Sequence, residues 1–406
     1  MRSDHFQIDA RDGEARAGVL RLEHGTVRTP AFVPLATSAT VKGMLSAEVA
    51  ELGYDMVLGN TFHLFIQPGH ELIAERGGLH EFMGWSRPII TDSGGFQVFS
   101  MGHGSVADEI KGSRSGARES RILAIDEEGV RFRSYLDGAE RFMGPETSME
   151  IQAALGSDVA LAFDECTPFH ADRDYTARST ERTHRWLDRC VDWHGDHAPA
   201  SQLLYGIVQG GVFQDLRTAS AERVSATAVD GIAVGGSLGQ EKAQMREVVE
   251  WALRPTPSEK PRHLLGIGDV DDILASVAAG IDSFDCATPT RLARHGTALV
   301  QDPEARWRLD LAKSHARDSD APIEEGCPCP ACREHTRAYL HYLVRAGELT
   351  AKRLLTHHNL VFMAALMDGI RGAIRDGELA GYSERVLAGA APYDTAAATS
   401  GGRART

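Results

Sequence analysis

The feature that most restricts this chain is a series of eight short apolar runs, most of them closing on a polar residue or a glycine. They are Ala31–Leu35, Met56–Asn60, Pro88–Asp92, Val159–Asp164, Leu204–Gln209, Ile232–Gly236, His263–Gly268 and Ile281–Cys286. Most lack strict alternation of apolar and polar residues, the pattern of strands buried on both faces in a parallel sheet. Helix-like segments lie between them: Ser46–Leu52, Ser148–Leu155, Thr180–Trp193, Leu216–Ala228, Gln244–Leu253 and Val270–Ala279. Eight strands alternating with helices predict an α/β fold, a closed (β/α)8 TIM barrel. An open doubly wound sheet is the competing arrangement, but no glycine fingerprint follows the first run to support it. With 406 residues the chain exceeds one ordinary domain, so a barrel with a smaller satellite is expected.

In such a barrel the ends of the runs share one mouth, the face that carries the active site. Asn60, Asp92, Asp164, Gln209, Gly236, Gly268 and Asp285 would converge there. One aspartate in this place could simply cap the next helix. Three carboxylates ending apolar runs are costly without a task. Thr91–Ser100 (TDSGGFQVFS) places Asp92 ahead of Gly94 and Gly95, which let a flat ligand approach the backbone. Phe96 follows, placed either to stack on a base or to fill the core. Asp164, in Ala162–Pro168 (AFDECTP), accepts hydrogen bonds, and Gln209, in Gly206–Gly211 (GIVQGG), both donates and accepts. Ala233–Gly239 (AVGGSLG) offers backbone groups from a glycine-rich turn. Together these residues describe a pocket for a flat heterocycle bearing donors and acceptors.

Three of the six cysteines, Cys327, Cys329 and Cys332, crowd into CPCPAC, and THHN (Thr356–Asn359) adds His357 and His358. Three thiolates and one imidazole make a closed tetrahedral zinc site with no open position for chemistry. Uncoordinated thiols are the alternative. The net charge of −14 argues, as an average, against a nucleic-acid partner. Phosphate binding needs only a local basic patch, however. Residues Cys286–Leu354 hold eleven Arg or Lys against nine Asp or Glu, so the rest of the chain carries −16. Met1–Gly18 is polar and charged, and no run approaches the ~20 apolar residues of a membrane span. A soluble, cytoplasmic protein is expected. The barrel is expected over residues 1–310, with an insertion near 100–141 that is either a lid or a surface ornament. A zinc-binding helical subdomain is expected over 311–387, and a disordered tail over 388–406.

The ordered series TDSGGFQVFS, FDECTP, GIVQGG, AVGG and FDCATPTR, with TVKGM (Thr40–Met44) and LGNTFHL (Leu58–Leu64), resembles the bacterial type of tRNA-guanine transglycosylases. The resemblance runs from about Ala15 to Leu379. It implies that Asp285 is the nucleophile on the ribose C1′ of the wobble guanosine and that Asp92 is the acid/base. It implies a base site of Asp92, Ser93, Gly94, Gly95, Phe96, Asp164, Gln209, Gly235, Gly236 and Leu238. It further implies RNA contacts from Gly266, Ile267, Gly268, Asp269, Val270, Asp271 and Asp272, and from Thr290, Arg291, Leu292, Ala293 and Arg294. His358 becomes the fourth ligand of one structural Zn2+. The implied partners are tRNA with a GUN anticodon, a 7-deazaguanine base (preQ1, with queuine as the alternative) and a second copy of the chain.

Two departures stand out. The family often has a Lys-Pro pair where this chain has Asp269 and Val270, an anion in place of a cation beside the expected RNA path. The pocket turn reads GGSLGQE (Gly235–Glu241) where common bacterial members read GGLAVGE, which suggests space around Gly239 for a larger base. Cys166 agrees with the usual bacterial pattern and favours preQ1. Two rival functions remain in view. A glycoside hydrolase would use the same carboxylates, but it predicts tryptophans at the strand ends, and there are none. A catalytically silent tRNA-binding subunit would not need both Asp92 and Asp285.

Overall fold

A computed structural model of the protein describes residues 5–103 and 121–393. Each of the eight apolar runs supplies one strand of a closed parallel barrel. In chain order these are β1 (Ala31–Ala36), β2 (Val57–Gly59), β3 (Ile89–Thr91), β4 (Val159–Leu161), β5 (Leu203–Val208), β6 (Gly231–Val234), β7 (Arg262–Leu264) and β8 (Ser283–Cys286). Pairing of Ser283 with Ala31 through Cys286 with Pro34 closes the ring. Six of the eight strands are shorter than their runs. Asp92, Asp164 and Gln209 lie one to three residues beyond the ladder, where the chain splays into the mouth.

Alternation along these strands, hidden in the sequence because both faces are apolar, sorts their side chains into two cores. Val33, Leu58, Ile90, Leu161, Tyr205, Ile207 and Ala233 fill the barrel interior. Phe32, Val57, Ile89, Ala160, Leu204, Ile232, Leu264 and Phe284 face the helices. A three-stranded antiparallel sheet (Phe6–Asp12, Ala15–Leu22, Gly25–Thr29) precedes the barrel, and its Leu20 and Val27 join the interior core. The fully buried Arg16 guanidinium pairs with Asp282, just ahead of β8, at 2.5 Å. The outer helices fall where they are expected, with ends shifted by a few residues, and two start well ahead of the expected bounds, at Pro145 and Arg173. Arg173–His197, for instance, starts behind Asp172, whose carboxylate accepts from the Tyr175 N–H.

The insertion contributes a sheet of Ile122–Ile125, Val130–Arg133 and Glu140–Met143. Its Val130, Phe132 and Met143 are buried in the outer core, and the Phe132 ring lies 5.2 Å from that of Phe62. This part is packed at the mouth, while 104–120, the rest of the suggested lid, falls outside the described residues.

After the barrel, Thr297–Leu299 pairs with Arg308–Asp310. Helices Arg337–Ala346, Leu349–Asp376 and Leu379–Leu387 follow. The long helix is fused to the barrel: Leu360, Met363, Leu366 and Ile370 share its outer core, and Arg371 donates to the Pro30 carbonyl at 2.6 Å. A separate small core surrounds the cysteines, with Ala298, Leu311, Ile323, Leu340 and Leu355. Of the tail expected from 388, Ala391 is buried and the Tyr393 hydroxyl donates to Glu324 at 2.5 Å; residues 394–406 lie outside the described residues.

Candidate active site and metal centre

The residues ending β2, β3, β4, β5, β6 and β8 do meet at one mouth. Asp92 follows β3, and its carboxylate accepts from the Asn60 side-chain amide and from the Thr61 N–H at 2.8 Å. Both donors come from the turn that starts the Thr61–Ile66 helix behind β2. Burial outweighs these bonds, and the charge of Asp285 adds to it, so the Asp92 carboxyl is pushed up to about 7. A carboxyl at that level changes protonation near neutral pH, as an acid/base group requires.

Asp164 and Gln209 form the floor. The Ser93 hydroxyl donates to one Asp164 oxygen at 2.7 Å and the Gln209 amide to the other at 2.6 Å. Burial pushes the Asp164 carboxyl up to about 6 against those two bonds. Gly95 is required here, since a Cβ would stand 2.3 Å from the Asp164 carbonyl oxygen. Oε1 of Gln209 is buried without a partner among the described residues. It lies against Gly236 (φ +76°), where a Cβ would come within 2.1 Å of it. The buried acceptor and the two carboxyls fit a flat ligand with N–H donors along its edge. Phe96 is 38% exposed, as a residue covering a ligand would be and a core residue would not. Leu238 is buried and packs in the outer core.

Asp285 lies within β8 and is 8% exposed. Its Oδ1 accepts from His263 Nε2 at 3.1 Å and from the Gly266 N–H at 3.2 Å. Arg217, unremarkable in the sequence, organises the rest. Its fully buried guanidinium donates to the carbonyls of Val208, Gly211, Gly235 and Ser237 at 2.7–2.9 Å, tying the turn after β5 to the turn after β6. Burial lowers its pKa to about 10, which leaves it charged. A helical arginine gives no sign of this role before the two turns are brought together.

The Gly239 turn differs from its sequence reading. Gly239 has φ +104°, which favours glycine for backbone reasons. The space a Cβ would take is filled by the Gln244 side chain, at 2.5 Å.

The segments expected to contact RNA flank Asp285. Among them Val270, Asp272, Thr290 and Ala293 are buried and hold packing positions, while Gly266 and Arg294 are exposed. Asp269 is neutralised locally by Arg308 at 2.8 Å and Arg306 at 3.3 Å, and Lys242 binds Asp271 at 2.5 Å. The anion at 269 thus arrives with its own cations.

At the far side of the Thr288–Arg294 helix, Cys327, Cys329, Cys332 and His358 converge. Their sulfurs lie 3.6, 3.4 and 3.4 Å from His358 Nδ1. Ligands about 2.3 Å (S) and 2.0–2.1 Å (N) from zinc in tetrahedral array would sit roughly 3.5 Å apart, so the four fit the ion. His358 Nε2 donates to the Leu299 carbonyl at 2.7 Å, which leaves Nδ1 free to ligate. His357 is outside the cluster.

Comparison with known proteins agrees with this geometry. Residues 11–391 match the family described as "Queuine tRNA-ribosyltransferase". A queuine tRNA-ribosyltransferase of Roseiflexus sp. (strain RS-1) is 50% identical over 387 residues, covering 92% of this chain and 97% of that protein. Those of Pelotomaculum thermopropionicum and Halalkalibacterium halodurans are 46% and 45% identical, covering 92% and 91% of this chain and 94% and 92% of theirs. The chain belongs to the queuine tRNA-ribosyltransferase family and is, with it, a tRNA-guanine transglycosylase of queuosine synthesis.

Proposed function

We propose that this enzyme exchanges the wobble guanine of GUN-anticodon tRNAs for the 7-deazaguanine preQ1 by double displacement. Asp285 attacks C1′ of the ribose and guanine departs with a proton from Asp92. PreQ1 then attacks the same carbon, returning the proton to Asp92 and releasing Asp285. The observation that carries this reading is the pair of mouth carboxylates in unlike surroundings. Asp92 is raised into the neutral range, whereas Asp285 has hydrogen bonds on one oxygen only among the described residues. Asp164, Gln209 and the Gly235–Gly236 backbone read the base edge, and the target nucleotide must leave its stack to reach them. Gly266, Arg291 and Arg294 contact the RNA around it. Zinc, held by Cys327, Cys329, Cys332 and His358, supplies structure and no chemistry. Queuine is the second reading, and the Gln244 side chain beside Gly239 favours the smaller base.

Nucleoside mass spectrometry of a GUN-anticodon tRNA incubated with enzyme and preQ1 is expected to show preQ1 at the wobble position. Exchange with queuine alone would shift the assignment to the larger base. Failure with both bases in folded, zinc-loaded protein would leave a silent tRNA-binding subunit.

We also infer a cytoplasmic homodimer. Among the described residues no helix is long and apolar enough to cross a membrane. Leu45, Tyr342 and Leu349 are 64%, 64% and 76% exposed, and Arg353 bonds Glu48 and the Gly43 carbonyl, bringing the 43–48 segment to the start of the long helix. Light scattering at micromolar concentration should give twice the chain mass; a monomer would remove the inference.

Asp92→Asn tests the acid/base role through stability as well as rate. A carboxyl raised from its ordinary value to about 7 stabilises the fold below about pH 4, and this contribution is lost as pH rises through 7. Asparagine carries no such dependence. The melting temperature of the variant relative to wild type should therefore climb between pH 4 and 8. The rise should be equivalent to a few kcal/mol, since each tenfold change in proton affinity is worth about 1.4 kcal/mol. Exchange should fall about 10²–10⁴-fold. A pH-independent difference would contradict the raised carboxyl.

A further inference from the structure

β7 and β8 are neighbours in register, with His263 opposite Ser283, and Asp285 follows two residues on, on the same face of β8. The His263 ring is fully buried, and both its nitrogens are engaged: Nδ1 with the Ser283 hydroxyl at 2.8 Å and Nε2 with Asp285 Oδ1 at 3.1 Å. A carboxylate only accepts, so Nε2 carries the hydrogen toward it; in the neutral ring Nδ1 is then bare and accepts from the Ser283 hydroxyl. Gly266 adds its N–H to the same Oδ1 at 3.2 Å. That turn is itself held by the Cys286 thiol on the Gly266 carbonyl at 3.3 Å. Among the described residues no side-chain hydrogen bond falls on Oδ2 of Asp285. A histidine serving only the core would need no carboxylate, and burying it against one confines both groups to a single arrangement.

We propose that His263, fixed in its Nε2–H tautomer by Ser283, is a positioning residue that holds Oδ1 of Asp285, so that Oδ2 makes and breaks the bond to the ribose. The inference rests on Asp285 being the nucleophile. In the first half, an Oδ2 electron pair forms the bond to C1′, and the C1′–N9 pair leaves with guanine, which takes a proton from Asp92. Oδ1 becomes the carbonyl oxygen of the ribosyl ester. In the second half, N9 of the incoming base attacks C1′ and loses its proton to Asp92, and the C1′–Oδ2 pair returns to the carboxylate. Charge accumulates on Oδ1 at that moment, and His263 and Gly266 are the donors that receive it. Removing the His263 donor makes the carboxylate a poorer leaving group, so the second half slows more than the first.

Single-turnover and steady-state exchange on a GUN anticodon stem-loop with preQ1 test this in His263→Phe, His263→Gln, Ser283→Ala and the His263→Gln/Ser283→Ala double variant. His263→Phe is expected to lower kcat about 30–100-fold with KM for the base within about threefold, while the fraction of enzyme held as denaturation-stable adduct rises. His263→Gln, which keeps an N–H donor, is expected to recover at least about fivefold of that loss. Ser283→Ala is expected to cost about three- to fivefold in wild type and nothing beside His263→Gln, because the amide needs no tautomer partner. The proposal is overturned if His263→Phe and His263→Gln behave alike, if the adduct fraction falls in step with kcat, or if Ser283→Ala costs the same in both backgrounds. Should His263→Phe fail to fold, the glutamine and serine variants carry the test alone. Absence of any adduct in wild type would instead refute Asp285 as nucleophile.

Discussion

Asp285→Ala is expected to lower guanine exchange by about 10⁴-fold or more, the scale on which removal of a covalent nucleophile acts. The change should spare the fold. Asp285 lies at the mouth end of β8, and alanine deletes three atoms without touching the ladder to β1 and β7. The groups left behind are the His263 Nε2–H and the Gly266 N–H. Their lost partner costs about 1–3 kcal/mol, offset in part because a buried negative charge has gone. The variant should therefore bind tRNA and base, retain zinc and melt within a few degrees of wild type. Exchange within tenfold of wild type would show that another group attacks the ribose.

The second large effect lies at the metal centre. Cys327→Ser, or removal of zinc by a chelator, is expected to unfold the small core around the cysteines and to lower exchange by at least about tenfold. That core is too small to stand without the ion, and structural zinc contributes on the order of 10 kcal/mol to such folds. The route to the active site is visible in the hydrogen bonds. His358 holds the Leu299 carbonyl, and the adjacent Asn359 holds the Leu299 N–H and the Pro289 and Thr297 carbonyls at 2.7–3.1 Å. Releasing the ligands loosens the Thr288–Arg294 helix, which begins three residues after Asp285. Zinc content by atomic emission, thermal unfolding and exchange rate should fall together. A variant that holds no zinc yet melts and exchanges like wild type would make the site dispensable.

Much of the barrel was legible because most strands lie in short, largely apolar runs that close on a polar residue or a glycine. That chemistry predicts both the ladder and the mouth. The three-stranded sheet over 6–29 was missed because its value comes from Leu20 and Val27 joining a barrel core assembled from distant segments. The long helix was expected within a zinc-binding subdomain set against the barrel; its apolar face packs on the barrel's outer core, a partner that amphipathicity alone does not name. At the site, Asp92, Asp164, Gln209 and the cysteines announce themselves by residue type and spacing. Arg217 and His263 do not, since each acts through backbone or side-chain groups that only the closed barrel brings near. Gly239 shows the opposite failing: a missing side chain reads as space, while the fold gives that space to Gln244.

The central claim is a covalent bond between the ribose and Asp285. Its most direct test is to denature the enzyme during turnover on a GUN anticodon stem-loop, digest the RNA–protein adduct and locate the nucleotide by peptide mass spectrometry. The expected result is one modified peptide spanning β8 with the ribosyl group on Asp285, absent when preQ1 is in excess long enough to complete exchange. A nucleotide on Asp92, or exchange proceeding with no adduct at any time, would contradict it.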